Sequence, residues 1–384
     1  MSRFVSVSCT QLSVLLHTPF VTALRRTETT DTVVVRVTDD DGITGWGEAP
    51  QAWQVTGESL MGATACVERM LGPLVVGRDT DDWEEVAASL QAAVARNFGA
   101  KAAVDVALRD LSARRAGVTL AELLGVRHGR RPGSEPNSEP DSEPDSEPRP
   151  SEVRTDVTLS AGSAPELAAS AAARVADGFR TLKMKVGTDA RTDVERVLRV
   201  RDAVGPHVTI RLDANQGWTV DEAVEVIRAL EAADLGVELV EQPVAGEDVE
   251  GLAQVRQRVG LPIMADESLY SRYDLERILR LEAADLVNVK LAKCGSLAIA
   301  AQLLDRAAQN GLGTMVGSMM ETPIGLGAMG SLVAAQPTSL VDDLDAAWWA
   351  ASSPVVGGPT YHGDRLVLSD QPGLGVSALT ETLV

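Results

Sequence analysis

Thr181-Leu-Lys-Met-Lys-Val-Gly187 is a strand-length run whose apolar members, Leu182, Met184 and Val186, alternate with Lys183 and Lys185. Period-two geometry sends the two lysines to one face of a strand. Similar runs recur on either side. Thr155–Ser160 precedes it, and Thr209–Asp213, Val237–Glu241, Pro262–Asp266, Leu286–Leu291, Gly313–Val316 and Leu340–Leu344 follow. Helical periodicity fills the intervals, as in Val220–Ala233 and Leu297–Asn310. Eight short apolar strands alternating with amphipathic helices predict a parallel α/β barrel over an open sheet.

A barrel carries its chemistry at the C-terminal ends of its strands. Lys185, Asp213, Glu241, Asp266 and Lys290 each end a predicted strand, spaced 28, 28, 25 and 24 residues apart. Each step is one strand–helix unit, so the five are expected at one mouth, with Lys183 one inward-facing position earlier. Asp213, Glu241 and Asp266 come from adjacent strands. They supply hard oxygen ligands suited to octahedral Mg2+, with positions left for substrate and water. Solvated carboxylates at loop starts would not follow apolar strands at one repeat period. Lys185 and Lys290, on the second and sixth strands, would approach that metal from opposite sides.

Lysine usage is itself a signal. Of 35 basic residues only Lys101, Lys183, Lys185, Lys290 and Lys293 are lysine, and four of them fall in two short clusters. Chance clustering is the bland alternative. Arginine keeps its proton in a protein, whereas a lysine amine is tuned by burial and neighbouring charge. A proton α to a carboxylate is too weakly acidic for an unaided side chain. Bidentate binding of that carboxylate to Mg2+ stabilises the enediolate, and a neutral lysine then takes the proton. The metal and Lys183 supply the positive charge that lowers the pKa of the base.

Upstream, Val5–Leu16 and Thr32–Val37 read as strands, with a hairpin turn at Asp40-Asp41-Gly42. Helical patterns follow at Glu58–Leu71, Asp82–Arg96 and Ala100–Ala116, so a small α+β domain is expected. Residues 132–150 repeat Ser-Glu-Pro four times, a composition that cannot bury a core and reads as a solvated insert. A docking role for that insert is the alternative. The net charge of −20 argues against nucleic acid or an anionic membrane as partner. No uncharged apolar run approaches the ~18 residues of a membrane span. Residues 1–10 carry no signal-peptide pattern, and Cys9, Cys66 and Cys294 form neither a disulfide framework nor a zinc pattern, so a cytoplasmic protein is expected.

The motifs Lys-Met-Lys-Val-Gly at 183–187, Asp-Ala-Asn-Gln-Gly-Trp at 213–218 and Glu-Gln-Pro at 241–243 resemble the enolase superfamily. Ala-Asp-Glu-Ser at 265–268 and Val-Asn-Val-Lys-Leu-Ala-Lys at 287–293 extend that resemblance. The paired lysine motifs are those of its muconate-lactonising subgroup, and within it the chain is most similar to the dipeptide epimerases, the L-Ala-D/L-Glu epimerases in particular. The resemblance implies a modified (β/α)7β barrel with an α+β capping domain. The capping domain would be residues 1–125 completed by the tail 350–384, with a linker at 126–152 and the barrel at 153–349. It implies one Mg2+ per subunit on Asp213, Glu241 and Asp266, with Lys185 and Lys290 as the two acid/base catalysts. Lys183 would be an electrostatic auxiliary, and Asn215 and Glu267 supports behind the ligands. Lys293 is expected to have a structural role or to support the ligands from behind, because its spacing from Lys290 turns it away from the same point. A homo-oligomer is expected.

The substrate is read elsewhere. Asp343-Leu-Asp345 ends the eighth predicted strand with both carboxylates on one face, where they would pair with an ammonium such as a dipeptide carries. A turn cluster with Asp342 is the alternative. Pro19 to Arg25 is read as a loop, and by the resemblance Arg25 would clamp a glutamate side-chain carboxylate; a surface arginine is the alternative, with Arg26 beside it. Thr56–Ser59 would form a neighbouring mobile loop of the capping domain. Met315–Glu321 and a Gly-rich turn at Gly325–Gly330 would line the pocket. The expected activity is therefore two-base 1,1-proton transfer at the C-terminal residue of a dipeptide. An N-acylamino-acid racemase or an o-succinylbenzoate synthase is the runner-up, and a muconate cycloisomerase fits the aspartates less well. A non-catalytic barrel would lack at least one core residue, and none is missing. Cys294-Gly295-Ser296 and Trp348-Trp349 depart from the family pattern.

Overall fold

The structure, a computed structural model, describes residues 2–125 and 151–380. The Ser-Glu-Pro insert and all but the last two residues of the expected linker lie outside them. Strands β1 (Phe4–Val21), β2 (Arg26–Asp39) and β3 (Thr44–Pro50) form an antiparallel sheet in that order. The β2–β3 turn is the one expected. Gly42 takes φ +82°, and Asp39 Oδ1 accepts the Ile43 N–H at 2.8 Å. The β1–β2 hairpin differs from the reading. Pairing runs past Leu16 to Phe20↔Thr27 and Val21↔Arg26, so Pro19, Phe20 and Val21 belong to a strand and only Thr22–Arg25 turn. The turn is tight because Thr22 Oγ1 accepts the N–H groups of Leu24 and Arg25. No hydrophobic alternation marks that extension.

Helices α1 (Leu60–Cys66), α2 (Gly72–Val75), α3 (Trp83–Ala93), α4 (Phe98–Ala116) and α5 (Leu120–Gly125) complete this half, with a π-helical turn at Val67–Leu71. The fully helical α4 is buried on most of its sides against β3. Gly45 and Gly47 make that approach: a Cβ there would stand 2.0 Å from the Ala107 carbonyl oxygen and 1.8 Å from that of Ala103.

Beyond the insert come β4 (Glu152–Arg154), β5 (Val157–Leu159), α6 (Ala164–Ala176), β6 (Thr181–Lys185), α7 (Ala190–Val204), β7 (Thr209–Asp213), α8 (Val220–Ala232), β8 (Val237–Glu241), α9 (Val249–Arg258), β9 (Ile263–Ala265), α10 (Arg272–Leu281), β10 (Leu286–Lys290), α11 (Leu291–Cys294), α12 (Leu297–Gln309), β11 (Gly313–Gly317) and α13 (Pro323–Ala335). Strands β5 to β11 form one parallel seven-stranded sheet in chain order, wrapped by helices as the barrel reading requires.

The eighth strand, expected at Leu340–Leu344, is reduced to two parallel bridges, Thr155↔Asp342 and Gly317↔Asp343, which join the two edges of the sheet. Side chains replace part of its ladder: Asp342 Oδ1 accepts the Val316 N–H at 2.8 Å, and Thr155 Oγ1 donates elsewhere while accepting the Leu344 N–H at 2.9 Å. The Gly-rich turn expected at Gly325–Gly330 is instead the buried interior of α13. Its run is apolar throughout, capped by Thr322 with Pro323 in the first turn. Its glycines admit neighbours, since a Cβ on Gly330 would lie 2.8 Å from Leu368 Cδ2.

The tail carries β12 (Val355–Gly357), β13 (Thr360–His362), β14 (Arg365–Val367) and β15 (Val376–Leu379). Strand β14 pairs with β13 on one side and β4 on the other, while Leu374 N donates to Asp110 Oδ1 of α4 and Arg114 Nη2 of α4 to the Val376 carbonyl. The tail thus touches both halves.

Candidate active site

On β6, Leu182 and Met184 are fully buried, while Lys183 and Lys185 point to the carboxylates inside the ring. Lys183 Nζ sits 2.7 Å from Glu241 Oε2, 2.8 Å from Asp343 Oδ2 and 3.1 Å from Asp213 Oδ2. Lys185 Nζ lies 2.6 Å from Asp213 Oδ2, and Lys290 Nζ 2.7 Å from Asp266 Oδ2. In sheet order the two lysines stand on β6 and β10, outside the carboxylates of β7, β8 and the end of β9. All five side chains, with Lys183, meet at the strand ends.

Lys293 departs from its expected direction. The turn of α11 winds its side chain back onto the other oxygen of the same carboxylate, 2.5 Å from Asp266 Oδ1, and its ammonium also donates to the Asp266 carbonyl. Spacing from Lys290 alone could not foresee that turn. Asn215 N donates to Asp213 Oδ1 at 2.8 Å, and its amide bridges Asp213 Oδ2 and Glu267 Oε1 at 3.2 and 3.4 Å. Two further groups were not singled out from sequence. Asn288 Nδ2 donates to Glu241 Oε1 at 2.9 Å, and Gln242 Oε1 accepts the Asp266 N–H at 2.9 Å. Asn288 was findable, because it precedes Lys290 by one inward position as Lys183 precedes Lys185.

Burial and close charge set the protonation states. Burial opposes ionisation of Asp213, but Lys185 and Lys183 outweigh it and hold the carboxyl at about 2. Asp266 is held lower still by Lys290 and Lys293 against the same burial. Burial pushes Glu241 up to about 7, with Lys183 pulling the other way, and Glu267 up to about 8, reinforced by Asp266 and Asp213. For Lys290 and Lys183 burial favours the neutral amine, yet Asp266 and Asp343 respectively raise them above the ordinary lysine value.

This donor set fits a hard divalent cation. Four lysines (183, 185, 290, 293) face six carboxyls (Asp213, Glu241, Asp266, Glu267, Asp343, Asp345), an excess of acid that a 2+ ion would balance. Asn215 Oδ1, Glu267 Oε2 and Asn288 Oδ1 are buried and accept no hydrogen bond. As they stand, the carboxylates are turned onto ammonium groups, and no three acidic, histidine or cysteine side chains among the described residues share one point.

A cavity opens beside this cluster, bordered by Lys185, Lys290, Asn215, Asp266, Glu267, Asp343 and Asp345 on the barrel and by Phe20, Thr22 and Arg25 from the β1–β2 hairpin. Arg25 turns inward and is partly desolvated, whereas Arg26 turns out to pair with Glu28. Asp343 and Asp345 therefore face a cavity, not a solvent-exposed turn. Ser318, Met319 and Met320 border it as expected of that segment, and Val55, whose carbonyl accepts the Tyr270 hydroxyl at 2.6 Å, closes another side.

Residues 5–125 match the mandelate racemase/muconate lactonizing enzyme N-terminal domain, and residues 166–382 the enolase C-terminal domain-like family. The chain is 37% identical to the L-Ala-D/L-Glu epimerase of Bacillus subtilis over 97% of its own length and 96% of that protein. A substrate-liganded structure of the Bacillus enzyme superposes with a TM-score of 0.90 over 98% of this chain and 99% of the other. The dipeptide epimerase of Enterococcus faecalis, solved with Mg and the dipeptide L-Leu-L-Tyr, does so with a TM-score of 0.88 at 34% identity, covering 98% and 99%. With both domain families matched in order around a carboxylate–lysine cluster, the chain belongs to the mandelate racemase/muconate lactonizing enzyme family of the enolase superfamily.

Proposed function

We propose that the protein is a Mg2+-dependent dipeptide epimerase, an isomerase that inverts the α-carbon of the C-terminal residue, with L-Ala-D/L-Glu as its preferred substrate. One observation carries the reading: Lys185 and Lys290 flank three carboxylates in strand order and border one cavity with Asp343, Asp345 and Arg25. Asp213, Glu241 and Asp266 would hold the ion, steadied by Asn215 and Glu267. When bound, Mg2+ supplies positive charge that holds the substrate carboxylate and stabilises the charge developing as the α-proton leaves.

The chain's own groups do the rest. A neutral Nζ of one lysine takes the α-proton, and the protonated Nζ of the other delivers one from the opposite face. Two opposed bases invert the centre, where a single base would return the proton to the face it left. Lys183, tied to three carboxylates, is a fixed positive auxiliary beside Lys185 on the same face of β6. Asp343 and Asp345 would take the dipeptide ammonium, and the Arg25 guanidinium the distal carboxylate of the second residue. Met319, Met320 and Phe20 would exclude water. In this reading residues 1–125 and the tail cap the barrel, and the protein acts in the cytoplasm, where Cys9, Cys66 and Cys294 stay as free thiols.

The test is incubation with L-Ala-L-Glu and Mg2+ in D2O. Deuterium should enter the α-position of glutamate alone while L-Ala-D-Glu accumulates. Failure to exchange that hydrogen in any acidic or neutral dipeptide would sink the reading.

A further inference from the structure

Asp343 and Asp345 face one cavity but are held differently. Asp343 Oδ2 lies 2.8 Å from the Lys183 ammonium, so its charge is already shared within the protein. Asp345 is held by neutral donors, and both fall on one oxygen. Oδ2 accepts the Thr158 N–H at 2.7 Å and the Trp349 indole N–H at 3.0 Å. Oδ1 accepts no hydrogen bond from the described residues, and Asp345 borders the cavity. Two donors on one oxygen fix the plane of a carboxylate and leave its other oxygen free for a cationic partner.

Trp349 is 4% exposed, and three rings set its orientation. His17 stacks on it at 5.4 Å with 14° between planes, while Phe20 and Trp348 meet it edge-on at 5.3 and 5.6 Å. His17 and Phe20 belong to β1, so the N-terminal sheet fixes the angle at which the indole N–H meets Asp345.

We propose that Trp349 is a positioning residue that aims Asp345 at the substrate ammonium, and so makes the site select peptides with a free N-terminal amine over their N-acyl counterparts. This rests on the dipeptide reading above. Losing one hydrogen bond to a charged group weakens binding roughly tenfold or more. That bond is made alike in ground and transition states, so its loss appears in KM and not in kcat.

The experiment compares L-Ala-L-Glu with N-propionyl-L-Glu, the same skeleton without the ammonium, by α-deuterium exchange, using Ki where turnover of the latter is slow. Trp349→Phe and a variant carrying benzothienylalanine at 349, which keeps the ring shape but replaces the N–H by sulfur, are assayed beside the wild type. The expected result is a KM for L-Ala-L-Glu raised about tenfold with kcat nearly unchanged, and N-propionyl-L-Glu unaffected, so the preference falls by the same factor. Equal losses on both substrates with the benzothienylalanine variant, or no loss on either, overturn the proposal. Exchange of neither substrate by the wild type would overturn the dipeptide reading and this proposal together.

Discussion

Strand β7 carries two buried ionic networks one inward layer apart. At the mouth, Asp213 meets Lys183 and Lys185. Two residues deeper, Arg211 pairs with Glu238 at 2.5 Å and Asp156 at 3.2 Å, and donates to the Val341 carbonyl at 2.6 Å. In both networks the cation is buried, with Glu238 the one half-exposed member, yet one uses lysine and the other arginine. A guanidinium cannot release its proton and spreads its donors over several fixed acceptors, which suits a permanent joint. An ammonium moves and can become neutral, which suits a joint that opens for a cation and a substrate. The barrel thus separates charge that holds from charge that works by residue type.

The largest expected break in this comparison is chelation. EDTA should bring α-hydrogen exchange to background and Mg2+ should restore it. The Arg211 network is untouched, so circular dichroism should stay folded, with stability lower by about 2.7 kcal/mol relative to protein in a hundredfold excess of Mg2+ over its Kd. Next come Lys185→Arg and Lys290→Arg, which keep the charge but remove the titratable amine. Each should slow epimerisation by about 10²–10⁴-fold. Each should also spare solvent exchange from one dipeptide isomer only, a different isomer for each variant, as read by NMR in D2O.

The lower network predicts the opposite pattern. Arg211→Met leaves Asp156 uncompensated and should cost about 3–5 kcal/mol in urea unfolding, with little change in kcat at temperatures where the variant is folded. The smallest effect concerns Asp342, whose chain neighbours Val341 and Asp343 join the lower and the upper network. Burial pushes its carboxyl up to about 7, although the Val316 N–H, Thr338 and Arg211 pull the other way. Its folded value lies above its unfolded one, so its contribution is complete below the unfolded value and is lost as pH rises through about 7. Wild type should lose stability on the order of 2 kcal/mol between pH 5 and 8 that Asp342→Asn does not lose, measured by denaturation midpoints.

The mouth was legible in sequence because a barrel repeats. Lys185, Asp213, Glu241, Asp266 and Lys290 recur one strand–helix unit apart, and lysine is rare elsewhere in the chain. What escaped depended on contacts distant in sequence. Pro19–Val21 extend β1 because Arg26 and Thr27 return to pair with them, and no local alternation announces that. Gly325–Gly330 reads as a turn until Leu366, Leu368 and Leu374 arrive to fill the space their missing side chains leave. Lys293 could be placed only once α11 was known to wind back on Asp266. The indole bond from Trp349 to Asp345 needed the position of β1.

The seam of the ring carries a further implication. Asp343 is both a wall of the cavity and half of a bridge that closes the barrel, through Gly317. Changing that residue to alter which molecule is accepted would also loosen the cylinder at its weakest stitch. Sequence drift in preference would then be channelled to positions that touch the cavity without closing the ring, such as Phe20, Arg25 and Met320. Those belong to the hairpin of the first sheet and the loop after β11, so a new specificity can be tried while the scaffold stays shut.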